Sequence, residues 1–263
     1  MQAPDTMFQD GAAYERLMGR WSQRVGTAFL DWLAPAPGLD WLDAGCGNGA
    51  FTELIARQGL PRYLAGIDPS PAQVAFACQR LGAAAAIEVG MAQALPFADA
   101  TFDVCTLALV IAFIAEPARG VGELVRVTRP GGMVAAYMWD LPDGVPLAPM
   151  QRALLALGHP APLPPSAPAS NARALLGLWR DAGLIEVDSR AFPITVSFED
   201  FDDFWQTNLL PVGPLAATLH GLSQAERDRL RAHLMNSLPA DRRGRIAYPA
   251  WANAIKGRRP RVG

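Results

Sequence analysis

The sequence predicts an α/β fold: a doubly wound, mostly parallel sheet of seven strands, with helices on both faces and a helical cap inserted before the last strand. Three observations predict it. Strand and helix signals alternate from residue 39 to residue 139. A cluster of three glycines, Gly45, Gly47 and Gly49, sits at the first strand-to-helix turn. Beyond residue 140 the regular alternation gives way to proline-rich and aromatic segments. Alternation of this kind needs crossover connections, which place helices on both faces of a parallel sheet. Right-handed crossovers then wind the sheet in both directions.

Each element has a local reason. Residues 1–35 form a helical lead-in. "LDWLDA" (39–44) is a buried strand, and "GAFTELIARQG" (49–59) a helix with Leu54 and Ile55 inward and a terminal glycine. "YLAGID" (63–68) is the second strand. In "PSPAQVAFACQRLG" Ser70 is the N-cap, Pro71 opens the helix and Gly82 ends it. "AIEVG" (86–90) and "FDVCTLAL" (102–109) are strands three and four, and Pro117 opens a helix to Val127. "RPGG" (129–132) reads as a tight turn into the fifth strand, "MVAAYMW". "HPAPLPPSAPAS" (159–170) is a loop, because proline denies the helix its N–H groups. A helix follows over 170–184, then a strand over 185–198 interrupted by Pro193. Ser223 and Glu226 form a capping box, and "GRIAYPAWANAI" (244–255) returns as the last strand. The domain reading is therefore a core over 36–198, a cap over 199–243, and a final strand with a basic tail over 244–263.

Composition narrows the function. Of 263 residues 51% are apolar and 18% charged, with a net charge of −2, so a general polyanion binder is disfavoured. The basic clusters "DRRGR" (241–245) and "KGRRPR" (256–261) read as a surface turn and a tail, which disfavours nucleic acid as a partner. The N-terminal stretch lacks the charge and apolar pattern of a secretory signal, and the run "CTLALVIAFIA" (105–115) is too short to span a bilayer. Three scattered cysteines, without metal-ligand spacing, fit a reducing cytoplasm.

The glycine turn lies where strand order is expected to reverse, at the carboxyl edge, and ligands of such sheets bind there. Gly45 and Gly47 allow unusual dihedrals and close backbone approach. Asp68, 19 residues after Gly49 and at the end of the second strand, is placed to accept two ribose hydroxyls. The spacing is GxGxG, with Ala50 where a dinucleotide fingerprint has its third glycine. Asp43, just ahead of the turn, favours a ligand with an ammonium group over one with a pyrophosphate. S-adenosylmethionine carries a ribose, an adenine and an ammonium group, and no phosphate. A nucleotide-dependent oxidoreductase on the same kind of sheet remains an alternative.

"LDAGCGNG", "GIDPS", "ALPFADATFDVC" and "RVTRPGG" resemble, in order and spacing, the motifs of class I S-adenosylmethionine-dependent methyltransferases of the broad bacterial small-molecule type. The match covers about residues 40–140. The resemblance implies a Rossmann-like sheet and methyl transfer to a small, apolar or aromatic acceptor in a capped cleft. It implies that Asp43, Gly45, Cys46 and Gly47 line the methionine part, and that Asp68 binds the ribose beside Pro69 and Ser70. Ala92 and Gln93 would edge the adenine, and Ala108 and Leu109 would flank the methionine. Tyr14, Arg20 and Trp21 would fold over the site, with Arg20 meeting the cofactor carboxylate. The family's "GDA" stands here as "GMA", so Met91 packs where an acid normally accepts from adenine. A cofactor-binding protein without catalysis and an RNA methyltransferase stay open beside the small-molecule enzyme.

Methyl transfer runs largely on positioning and dehydration, so no fixed triad is required. Of His159, His220 and His233, His220 beside the cap is the weak candidate for a base. Phe113, Tyr137, Trp139, Phe201 and Trp205 suggest an apolar acceptor pocket, with Asp140 orienting a polar group. The segment 199–222, with Gly213 between two prolines, reads as a lid hinged at one soft point.

Overall fold

The structure, a computed structural model, describes residues 18–210, 213 and 215–261. Its elements are helix α1 (Arg20–Leu33), β1 (Asp40–Ala44), α2 (Ala50–Leu54), β2 (Tyr63–Asp68), α3 (Pro71–Leu81), β3 (Ala86–Val89), β4 (Phe102–Ala108), α4 (Pro117–Val127) and β5 (Thr128–Trp139). There follow α5 (Ala148–Ala156), α6 (Ala172–Asp181), β6 (Ile185–Phe198), α7 (Phe201–Asn208), α8 (Ala216–Gly221), α9 (Gln224–Ser237) and β7 (Ile246–Arg258). One seven-stranded sheet runs β3-β2-β1-β4-β5-β7-β6. The first five strands pair in parallel, and β7 is antiparallel to both of its neighbours. The chain moves outward from β1 to β3, then returns to β4 on the other side of β1. The switch point therefore lies between the carboxyl ends of β1 and β4, directly at the glycine turn.

The sheet's apolar residues are covered as the alternation predicts. All five residues of β1 are buried. Helix α1 buries Val25, Gly26, Phe29 and Leu33 and sends Phe29 against Tyr137 of β5, with ring centroids 4.7 Å apart. Phe51 of α2 closes the same cluster, 5.5 Å from Tyr137. Ser70 caps α3 by accepting from the Gln73 N–H, as expected. No helix among the described residues is long and apolar enough to cross a membrane.

Two sequence expectations are refined. "RPGG" is not a turn ahead of β5; it is an irregularity within the strand. Pairing jumps from Phe102–Thr128 to Val104–Met133, so the glycines loop outward, with Gly131 at φ +82°. Pro193 does not interrupt β6, which pairs with β7 continuously from Asp188 to Phe198. β6 is an edge strand, so proline's missing N–H falls on a side where no ladder partner is needed.

The last two strands extend well beyond the rest of the sheet. Trp139 ends β5 opposite Ala252, and Ala252 pairs with Phe192. The β6–β7 ladder continues six residues further, to Phe198–Ile246, or about 20 Å at strand rise. This ribbon stands above the carboxyl edge, beside the switch point. Trp21 of α1 meets it edge-on at Phe198, 6.3 Å away. The cap helices α7, α8 and α9 lie between β6 and β7 in sequence. Phe204 of α7 packs on Phe198, and α9 packs on α5.

Candidate functional site

The three glycines of the turn serve three different purposes. All have left-handed φ: +76° at Gly45, +53° at Gly47 and +80° at Gly49. A Cβ on Gly45 would lie 2.6 Å from the Val110 side chain, so its bareness lets the end of β4 approach. A Cβ on Gly49 would lie 3.1 Å from Ala77 and Leu81, so its bareness lets α3 pack closely. At Gly47 nothing lies within 4 Å of the Cβ position, so that backbone faces open space. Only Gly47 is bare without a protein neighbour to explain it.

The turn is fastened to β2. The N–H groups of Gly45 and Cys46 both donate to the Ile67 carbonyl, at 2.7 and 2.8 Å. Asp68 Oδ2 accepts the Gly47 N–H at 3.0 Å, and Oδ1 accepts the Ser70 N–H at 2.9 Å. Burial pushes the Asp68 carboxyl up, and the two backbone donors only partly oppose this. The side chain is half-buried, and Pro69 beside it is exposed. The loop after β3 joins the same corner, where the Gly90 N–H donates to the Asp68 carbonyl. On that loop Ala92 is buried, Gln93 is half-buried and Met91 is 53% exposed.

Across the crevice, Ala108, Leu109 and Val110 at the end of β4 are half-buried. Leu109 has φ +61°, and its N–H donates to the Tyr137 carbonyl at 2.8 Å. A left-handed leucine costs roughly 1–3 kcal/mol and is held by its surroundings; such strain gathers at ligand sites. Asp43, Gly45, Cys46, Gly47, Asp68, Leu109 and the Met91–Gln93 loop thus converge on one corner.

The Asp43 side chain is held within the protein. It is fully buried and turned inward, accepting from Thr52 Oγ1 at 2.7 Å and from Thr106 Oγ1 at 3.4 Å. Burial raises its pKa to about 6 against those hydroxyl donors. It ties β1 to α2 and β4. Thr52 and Thr106 went unnoticed in the sequence because neither belongs to a motif. Burial also pushes the Cys46 thiol far up, leaving it inert.

The remaining candidates divide. Arg20 is exposed, with its guanidinium stacked over Trp21 at 4.2 Å and Phe198 at 5.0 Å, at the mouth below the ribbon. Tyr14 lies outside the described residues. Phe113 is half-buried after β4, and Trp139 is buried at the end of β5. Asp140 is structural: its Oδ2 accepts from Asn253 Nδ2 at 2.8 Å, and Asn253 also donates to the Ser170 carbonyl. Trp205 is 5% exposed and stacked on Phe201, one turn earlier in α7. His220 is exposed on α8. Its Nε2 lies 3.3 Å from the Leu209 carbonyl, where it links α8 to the end of α7.

Comparison with known proteins agrees with this geometry. Residues 42–136 match the family described as "Methyltransferase domain". The chain is 38% identical to a malonyl-[acyl-carrier protein] O-methyltransferase of Pectobacterium atrosepticum over 43% of this chain and 44% of that protein. It is 34% identical to a ubiquinone/menaquinone biosynthesis C-methyltransferase of Roseobacter denitrificans over 40% and 44%. The chain thus spans under half the length of these two relatives. Among solved structures, a putative methyltransferase of Bacillus halodurans superposes with a TM-score of 0.60 at 13% identity, covering 89% of this chain and 98% of the other. Phosphoethanolamine N-methyltransferase 2 of Haemonchus contortus, in complex with S-adenosyl-L-methionine, gives 0.59 at 18%, covering 95% and 56%. Both likenesses show the fold.

Proposed function

The chain carries a class I S-adenosylmethionine-dependent methyltransferase domain, and from that premise we propose that it transfers a methyl group to a small apolar or aromatic molecule. The observation that carries the reading is the corner where Asp68 accepts the Gly47 N–H while the Gly47 backbone faces open space. That corner fits S-adenosylmethionine. The unused lone pairs of Asp68 suit the ribose hydroxyls, and the bare Gly45–Gly47 backbone suits the methionine part. The Met91–Gln93 loop edges the adenine, and Arg20 stands ready for the carboxylate. When bound, the cofactor supplies an electrophilic methyl group on a sulfonium sulfur.

The chain's own residues do the rest by position. Leu109 and Val110 offer an apolar wall to the reacting end of the site. The β6–β7 ribbon, α1 and the cap keep water from it with Trp21, Phe198, Phe204 and Trp205, all buried. The weak candidate base, His220, contacts the Leu209 carbonyl, and Asp140, expected to orient the acceptor, is held by Asn253, which favours catalysis by proximity and dehydration.

Calorimetry with S-adenosylhomocysteine and with NAD tests the cofactor, and transfer of labelled methyl to a panel of phenols, enols and amines tests the reaction. Binding of S-adenosylhomocysteine with label transfer to an apolar acceptor is expected. Tight NAD binding without S-adenosylhomocysteine binding would overturn the reading.

A further inference from the structure

Between Gly45 and Gly49 only Cys46 and Asn48 carry side chains. Glycine loses more freedom on ordering than any other residue, so a turn this bare must be held by its neighbours. Strand β2 supplies one hold, through the Ile67 carbonyl and the Asp68 carboxylate. Helix α3 supplies another, through Arg80.

The bareness of Gly49 brings α3 against the turn at Ala77 and Leu81. Arg80 stands three residues after Ala77, on the same side of that helix. Its Nη1 donates to the backbone carbonyl of Asn48 and to Asn48 Oδ1, each at 3.3 Å. Asn48 Oδ1 also accepts the Ala50 N–H at 3.2 Å, at the start of α2. Asn48 is buried, and the Arg80 side chain is 13% exposed. The guanidinium lies 5.3 Å from the Phe76 ring, one turn earlier on α3. Its Nε lies 3.9 Å from Glu53 Oε2, in the first turn of α2. One nearly buried cation thus links the turn, α2 and α3.

The two holds differ in kind. The Asp68 carboxylate is itself the group offered to the ribose. Arg80 acts on the turn through Asn48, while the Gly47 face stays open. We propose that Arg80 is a positioning residue for the cofactor. It fixes Asn48, and with it the Gly47 backbone, in the arrangement that the methionine part of S-adenosylmethionine meets. A turn ordered in advance spares the ligand the entropy of ordering it. The inference rests on the methyltransferase reading for the identity of that ligand.

The test uses the whole chain, without ligand and with S-adenosylhomocysteine. Arg80→Met keeps an unbranched stem beside Phe76 and removes the donors. It should weaken S-adenosylhomocysteine binding by roughly tenfold or more, the scale of a lost hydrogen bond from a charged group. Arg80→Lys keeps the charge but is shorter and lacks the fork, so it should lie between, at about a threefold loss. Arg57→Met removes the other arginine paired with Glu53 and should leave the affinity unchanged. Hydrogen exchange of the ligand-free protein gives a readout that needs no cofactor. The Gly47 and Gly49 amides should exchange faster in both Arg80 variants, while the amides of β1 keep their wild-type rates. Affinity within about twofold of wild type in Arg80→Met, or in Arg80→Lys if the methionine variant fails to fold, overturns the proposal. So do turn amides that exchange at wild-type rates, and an equal loss of affinity in Arg57→Met. Faster exchange spread through β1 overturns it as well, because Arg80 would then brace the fold and not the turn. A wild type that fails to bind S-adenosylhomocysteine strikes the cofactor reading instead, and the exchange rates still decide whether Arg80 fixes the turn.

Discussion

The Asp68 carboxylate accepts the backbone N–H of Gly47 at 3.0 Å, across the corner between the end of β2 and the turn after β1. One side chain thus shapes the turn and presents free lone pairs to the crevice. The two tasks are separable by substitution. Asp68→Asn keeps an oxygen for the Gly47 N–H and gives up the charge. Asp68→Ala gives up both.

Asp68→Ala is therefore expected to weaken S-adenosylhomocysteine binding by several kcal/mol, since hydrogen bonds to a charged group contribute roughly 1.5–3 kcal/mol each. Asp68→Asn should lose about half of that. Calorimetry on folded protein gives the answer, and near wild-type affinity in the alanine variant would remove Asp68 from the cofactor site.

The glycines give a contrast. Gly45→Ala should destabilise the protein by about 2–5 kcal/mol, because a left-handed alanine costs roughly 1–2 and its Cβ meets Val110 at 2.6 Å, an overpacking of roughly 1–3. Gly47→Ala should cost only the backbone part in stability and yet weaken cofactor binding sharply, because its Cβ enters the open face. Denaturant unfolding and ligand titration of both variants separate these outcomes; a Gly47→Ala protein that binds normally would contradict the site.

Asp43 predicts a pH dependence. Burial raises its pKa from 3.8 to about 6, so the folded state holds a proton that the unfolded state has released. The stability this represents is fully present below pH 3.8 and is lost as pH rises through about 6. The stability of the wild type minus that of Asp43→Asn should accordingly be about 1–2 kcal/mol greater at pH 5 than at pH 8. Asp68, also raised, is common to both proteins and cancels in the difference apart from its repulsion of the Asp43 charge. A difference that is flat with pH, from urea unfolding at both values, would show that Asp43 stays ionised.

Met91 is 53% exposed at the end of β3, so Met91→Asp should leave folding untouched. If the adenine lies on that loop, the new carboxylate should tighten S-adenosylhomocysteine binding by roughly 0.5–1.5 kcal/mol. An unchanged dissociation constant would mean that Gln93 or the loop backbone already satisfies the adenine.

The cap is tested through Trp205, buried on Phe201. Trp205→Ala should lower turnover much more than cofactor affinity, and hydrogen exchange over 199–222 should slow when cofactor and acceptor are added. Protection that saturating ligand leaves unchanged would make the cap a fixed part of the core.

The sequence by itself determined the strands, their helices, the glycine turn and the corner residue Asp68. Each rests on a short-range cause: a run of apolar residues, a cap, a proline at a first turn, a glycine where φ is positive. Pairing across distance was decided only by the tertiary structure. The partners of Asp43, Thr52 and Thr106, and the contact of His220 with the Leu209 carbonyl come from other elements and are not legible locally. Pro193 looked like an interruption until β6 proved to be an edge. A side chain's role follows from the groups that surround it, and for buried polar atoms those groups come from distant parts of the chain.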